Sequence, residues 1–256
     1  MSYSNEIFDL LEAVKITDKI TDEEWKKGLS DRKIKEIEFH DRDRDEKFEQ
    51  ETITNSDTYE KFYGNRKYYR AAKRSKIYVQ DWIATESKGK IFLDYACGNG
   101  DYAIHACKSG AALALGFDIS GTSIKNATKF AEKENLKINK ENGICFFQAD
   151  AENTKLPDNC IDTVICSGML HHLDLSYAFP ELRRILKPNG KILVGEALDY
   201  NPAIKLYRML TPDMRTEWEK AHILSLKDVN FASRFFAIDE IRYWHILGYI
   251  GGKLTL

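Results

Sequence analysis

The sequence predicts an α/β fold, a doubly wound and mostly parallel sheet with a helical N-terminal extension. Two observations carry it. From Ile91 onward, short apolar runs rich in β-formers alternate with amphipathic helical runs, the pattern of a parallel sheet covered on both faces by helices. Before about Lys90 the chain is charge-rich and its apolar residues recur at helical spacing.

The strands are expected at 91–95, 112–118, 144–149, 163–166 and 191–196, with helices between them at about 101–109, 120–135 and 175–186. Upstream, Ile7, Leu10, Leu11 and Val14 form one helical stripe, and Ile34, Ile37 and Glu38 suggest a weaker helix. Residues 39–55 are nearly all polar or charged and read as either an exposed helix with mixed-sign pairs or a linker. Gly64-Asn65 interrupts the chain before a lead-in helix at about 66–85. Beyond the fifth strand come a helix at 203–210, a turn at 211–215 and a further strand at 240–247. The resulting division is an extension at 1–58, a lid and lead-in helix at 59–90, and a core at 91–256 with an insertion at about 197–235.

Composition sets bounds. A chain of 256 residues with 43% hydrophobic content can bury a large core, and a net charge of −2 gives no global pull toward nucleic acid or anionic membrane. The five cysteines lack CxxC spacing, so reduced thiols in a cytoplasmic protein are expected. No basic start followed by an apolar run marks a secretory signal, and no apolar stretch approaches the roughly 20 residues of a membrane helix.

Each of the first three strands ends on residues that suit one part of a nucleoside ligand. The first runs through Asp94 and Tyr95 into Ala96-Cys97-Gly98-Asn99-Gly100. Glycines at a strand-to-helix turn allow close approach of a ligand to the backbone. A dinucleotide loop would need a third glycine, whereas this one is preceded by a carboxylate that would repel pyrophosphate. Asp94 can instead orient the loop and attract a ligand ammonium. Asp118, ending the second strand, can accept from vicinal ribose hydroxyls or cap the helix starting beside Ser120. Asp150 can accept from an adenine amine while the Ala151 N–H donates to a ring nitrogen; alone it would read as a turn former.

The motifs Leu93-Asp94-Tyr95-Ala96-Cys97-Gly98-Asn99-Gly100, Gly116-Phe117-Asp118-Ile119-Ser120, Gln148-Ala149-Asp150-Ala151, Asp162-Thr163-Val164-Ile165-Cys166, Leu170-His171-His172-Leu173 and Leu186-Lys187-Pro188-Asn189-Gly190-Lys191 resemble the ordered motifs of class I S-adenosylmethionine-dependent methyltransferases, most closely the broad bacterial group acting on small molecules. The resemblance covers about residues 91–196. It implies a Rossmann-like core that binds S-adenosyl-L-methionine and releases S-adenosyl-L-homocysteine. Asp94, Ala96, Cys97, Gly98 and Gly100 would wrap the methionine part, Asp118 with Ile119 the ribose, and Asp150 with Ala151 the adenine, with Ser167 also at the cofactor. Ala96 stands where the family has its first glycine, which puts the loop's shape and its affinity in question.

The acceptor is expected above the end of the fourth strand, where His171 and His172 are the candidate catalytic groups; the resembling family also uses histidines here merely to support the loop. The Asn/Asp-Pro-Pro-aromatic tetrapeptide of nucleic-acid amino-methyltransferases is absent, which argues against nucleic acid and for a small-molecule acceptor. Adjacent histidines point in different directions, so no metal is expected. Glu196 is a further polar group at this end, the alternative being an exposed strand end. Tyr63 and Tyr69, in the aromatic segment 59–70, and Arg215 in the insertion are candidate pocket or lid residues; ordinary aromatic packing on the sheet is the alternative for the former. An RNA or protein methyltransferase, docking through the basic segment 61–76, and a cofactor-binding protein without turnover are the competing functions.

Overall fold

In the computed structural model the described residues are 3–17, 21–52, 73–200, 205, 208–210 and 216–244. Among the described residues, helices α1 (Tyr3–Thr17), α2 (Asp22–Lys27) and α3 (Asp31–Thr52) precede the lead-in helix α4 (Lys73–Glu86). The core then runs β1 (Ile91–Tyr95), α5 (Asp101–Lys108), β2 (Leu113–Asp118), α6 (Gly121–Lys133), β3 (Ile144–Gln148) and β4 (Ile161–Ser167). A 3-10 turn (Leu170–His172), α7 (Leu175–Ile185), β5 (Leu186–Gly195), α8 (Glu217–Ala221) and α9 (Leu226–Ala232) follow.

The strands pair in the order β3-β2-β1-β4-β5, and every pairing is parallel. Period-two alternation assigns the strand side chains to two cores. Ile91, Leu93 and Tyr95 share one with Leu113, Leu115 and Phe117, and α1 lays Ile7, Leu10 and Val14 on it. Phe92, Ala114 and Ile165 face the other, where α4, α5 and α6 contribute Ile83, Ala106 and Ala127. Each large apolar side chain buried this way contributes about 1.5–3 kcal/mol. Strand order reverses between β1 and β4, so the carboxyl ends of these strands flank the crevice where open α/β sheets bind ligands.

Of the two readings of the charged run after His40, the helix holds to Thr52, where α3 ends. Other expectations change. β5 begins at Leu186, five residues before the expected start, and its pairing with β4 shifts register between Ile161 and Thr163. The irregularity is built at Asn189, whose φ is 64°. The strand expected at 240–247 is not formed over residues 240–244, the part that lies among the described residues. Tyr63, Tyr69, the aromatic segment 59–70 and Arg215 lie outside them. No described helix is long and apolar enough to cross a membrane.

Candidate functional site

The turn after β1 is held from both sides. Asp94 is buried, and its Oδ2 accepts the Ala103 N–H at 3.2 Å. Burial pushes its pKa well above the usual carboxylate range, opposed by the backbone N–H bonds it accepts. Asp94, 3% exposed, therefore fixes the first turn of α5 to β1. Ala96 follows with φ 58°, in the left-handed region, so the alanine keeps the turn that a glycine would favour. The Cys97 N–H bonds to Phe117 O at 2.7 Å and the Gly100 N–H to Cys97 O at 2.9 Å. Gly100 has φ +80°, and a Cβ there would lie 2.5 Å from the Phe146 ring.

Asp118 does two things at once. Its Oδ2 accepts the Gly98 N–H at 2.9 Å and its Oδ1 accepts the Ser120 N–H at 3.0 Å, while the Ser120 hydroxyl accepts the Ser123 N–H at the start of α6. The carboxylate, 4% exposed, thus ties the glycine loop to the second strand end. Ile119 O accepts from Gln148 Nε2 at 2.9 Å and from Trp25 Nε1 at 3.3 Å. Inside the loop, Asn99 Oδ1 is buried without a partner among the described residues, a polar atom that a ligand's ammonium or hydroxyl would satisfy. The loop, Asp118 and Asn99 together fit a nucleoside carrying an amino-acid chain.

The residues expected at the adenine, Asp150 and Ala151, are engaged within the protein. Asp150 Oδ1 accepts the Glu152 N–H at 3.0 Å, and Lys33 Nζ of α3 lies 2.6 Å from its Oδ2. Ala151 is buried, and its carbonyl accepts the Tyr95 hydroxyl. The Ser167 hydroxyl stands 3.4 Å from the Tyr102 hydroxyl at the end of β4.

Beyond β4 the structure gathers a cluster from four parts of the chain. Glu196, just after β5, accepts the Met169 and Leu170 N–H groups at 2.7 Å each through Oε1, and its Oε2 lies 2.9 Å from His171 Nδ1. Its side chain is 3% exposed, so it anchors the 3-10 turn instead of forming an open strand end. His172 Nδ1 lies 3.0 Å from Glu36 Oε2 of α3, and Glu36 Oε1 accepts the Thr216 hydroxyl. Glu219 of α8 brings Oε1 to 3.4 Å from His171 Nε2 and 3.6 Å from His172 Nε2. The adjacent histidines do not diverge: their rings are 4.3 Å apart at 35°, and both turn Nε2 toward Glu219 Oε1.

Electrostatics separates the two imidazoles. Burial alone would lower both. For His171 the flanking Glu196 and Glu219 outweigh it and push the pKa up to about 9. For His172 burial prevails over Glu36, aided by the charge of His171, and its pKa is lowered. Glu36 is held well below the usual carboxylate range, since bonds from His172, His40 and Thr216 overcome its burial. An open cleft of ≈ 590 Å³ adjoins the cluster, lined by Arg32, Glu36, Phe39, Thr216, Trp218 and His222 among others. α8 thus lies on the histidine turn as part of the insertion after β5.

Glu36, His40, Thr216 and Glu219 were not among the expected site residues. Two local signals were present: Glu36 and His40 are four apart on one helix face, and Thr216 with Glu219 forms a capping box.

Residues 93–194 match the model of the methyltransferase domain family. The chain is 30% identical over 139 residues to a sterol 24-C-methyltransferase of Aspergillus fumigatus, covering 54% of this chain and 36% of the relative. It is 34% identical over 108 residues to a ubiquinone/menaquinone biosynthesis C-methyltransferase of Acidiphilium cryptum, covering 42% of each. The chain therefore spans less than half the length of these relatives. Among solved structures, the YcgJ protein of Bacillus subtilis superposes with a TM-score of 0.54 at 20% identity, covering 69% of this chain and 78% of that one, a likeness of fold.

Proposed function

Given that the chain carries a class I S-adenosylmethionine-dependent methyltransferase domain, we propose that it transfers a methyl group to a small-molecule acceptor by direct in-line displacement. The observation that carries this reading is Asp118, whose carboxylate joins the glycine loop to the second strand end beside the reversal of strand order. S-adenosylmethionine supplies an electrophilic methyl group on a sulfonium. Gly98 to Gly100 and Asn99 receive its amino-acid end, Asp118 its ribose, and Asp150 with Ala151 its adenine. The leaving thioether is neutral, so alignment of the attack supplies much of the rate. His171, His172 and Glu219 meet the polar group of the acceptor. The sterol and quinone enzymes among the relatives support a small-molecule acceptor.

The test is calorimetry with S-adenosylhomocysteine, followed by incubation of the chain with S-adenosylmethionine and a metabolite extract. Saturable binding and release of S-adenosylhomocysteine with the extract are expected. His171→Ala should lower turnover while leaving S-adenosylhomocysteine affinity intact. A thermal shift with nicotinamide dinucleotide alone would overturn the cofactor assignment. Tight cofactor binding without turnover would identify a binding protein, and salt-sensitive retention of RNA would identify a nucleic-acid substrate.

A further inference from the structure

We infer that His171, His172 and Glu219 form a site for one divalent transition-metal ion of the zinc class. Each offers one ligand atom, and these atoms all lie within 4.8 Å of one another. Glu219 Oε1 is 3.4 Å from His171 Nε2 and 3.6 Å from His172 Nε2. Those separations exceed the usual N–H···O range. They approach the spacing of about 3.3–3.4 Å between ligand atoms of a tetrahedral ion bound at roughly 2.0–2.1 Å.

The surroundings of the three ligands are those a metal site requires. A ligating imidazole gives its other ring N–H to a carboxylate, which fixes the tautomer and the ring orientation. Here both imidazoles do so: His171 Nδ1 faces Glu196 at 2.9 Å and His172 Nδ1 faces Glu36 at 3.0 Å. Both Nε2 atoms are thereby directed at the same glutamate oxygen. Glu219 is prepared in the same way. Its Oε2 accepts the Thr216 N–H at 2.9 Å in the capping box of α8, which leaves Oε1 for the ion. Glu196 and Glu36 are themselves positioned, by the Met169 and Leu170 N–H groups and by the Thr216 hydroxyl.

A second grouping, Glu36, His40 and His172, meets at the opposite nitrogen of His172. There His172 already makes a hydrogen bond of ordinary length to Glu36, so that carboxylate serves as the orienting partner. Two nitrogens and one oxygen suit zinc, cobalt or iron in the divalent state better than magnesium or calcium. Three protein ligands leave a position for water or an oxygen donor. On the methyl-transfer reading, that donor is a hydroxyl, phenolate or carboxylate of the acceptor; the ion site itself does not depend on that reading.

The experiment is a Co²⁺ titration of the full chain, free of any polyhistidine tag and stripped with chelator, followed by visible absorption. One equivalent should produce a d–d band that Zn²⁺ displaces. His171→Ala and Glu219→Ala should each abolish the band with circular dichroism unchanged, and Glu196→Gln should weaken affinity by about 10–100-fold. The unaltered chain decides independently of the variants: absence of one-equivalent binding overturns the site. So does a near-ultraviolet thiolate band, which would place the ion on a cysteine. A band that survives His171→Ala but is lost in His40→Ala would put the ion on the other side of His172 and overturn the assignment. A parallel titration with S-adenosylhomocysteine keeps the two conclusions apart. Nucleoside binding without Co²⁺ binding rejects the metal site alone, and Co²⁺ binding without nucleoside binding supports it while rejecting the cofactor assignment.

Discussion

Lys33 Nζ lies 2.6 Å from Asp150 Oδ2, so a lysine of the N-terminal extension holds the carboxylate assigned to the adenine amine. The same ammonium reaches Glu152 Oε2 at 2.7 Å. An adenine amine entering here competes with it for Oδ2. Lys33→Met should therefore tighten S-adenosylhomocysteine binding by about 0.5–1 kcal/mol, the scale of a partly screened ion pair. Calorimetry reads the change; weaker binding would mean that Lys33 aligns Asp150 for the base.

Asp118 has the larger role. Its loss removes the proposed ribose acceptor and the partners of the Gly98 and Ser120 N–H groups together. Asp118→Ala should weaken S-adenosylhomocysteine binding by about 1–3 kcal/mol, as for hydrogen bonds to a charged group. Asp150→Ala should cost less, because backbone contacts to the base survive. Equal calorimetric affinity for the wild type and Asp118→Ala would place the ribose elsewhere.

The two turn residues Ala96 and Gly100 should respond in opposite directions. Ala96 holds φ 58°, which costs an L-residue about 1–2 kcal/mol, while a glycine's greater unfolded-state freedom takes back about 0.4–1 kcal/mol. Ala96→Gly should thus raise the thermal midpoint slightly. Gly100→Ala combines φ +80° with a Cβ set 2.5 Å from Phe146, and should destabilise by about 2–4 kcal/mol. Scanning calorimetry of the pair checks the contrast, and a lower midpoint for Ala96→Gly would contradict it.

Away from the site, Glu181 sets an acid limit on stability. Burial raises its pKa, but Arg184 and the Thr154 hydroxyl and N–H overcome this and leave it lowered from 4.5. A carboxylate depressed on folding stabilises the native state above its unfolded pKa. That stability is complete above about pH 4.5 and is lost as the pH falls through the lower native value. Glu181→Gln should be less stable than wild type at neutral pH, and the gap should narrow below about pH 4.5. Urea unfolding across the range measures it; a gap independent of pH would remove Glu181 from the acid response.

The sheet was readable because its signals are local. β1 matches its expected bounds, and the termini of β2, β3 and α5 lie within one residue of theirs. Apolar period and glycine turns fix such elements without reference to distant chain. The residues expected at the nucleoside were nameable for the same reason, each standing at a strand end. The acceptor cluster was not. His172 meets Glu36 across 136 residues and Thr216 meets Glu36 across 180, and no periodicity connects them. α8 and α9 were missed although Thr216 with Glu219 and Ser225 with Asp228 form capping boxes. These helices are only 5 and 7 residues long, too short to show a stripe.

Two neighbouring ridges of α3 divide their attention. Lys33, Ile37 and Asp41, at successive fourth positions, touch Asp150, the core and the Ser120 hydroxyl. Arg32 and Glu36, one residue back on the helix, hold His172 through its carbonyl and its ring. One stiff rod thus leans on the nucleoside edge and the histidine turn together. If the base shifts the rod, Glu36 moves with Lys33, and a free energy links occupancy of the two ends. Thermodynamic reciprocity then makes the effect of each ligand on the other's affinity the same factor in both directions, so whatever factor a ligand at Asp150 imposes on the histidine end, a molecule gripping that end imposes in return at Asp150.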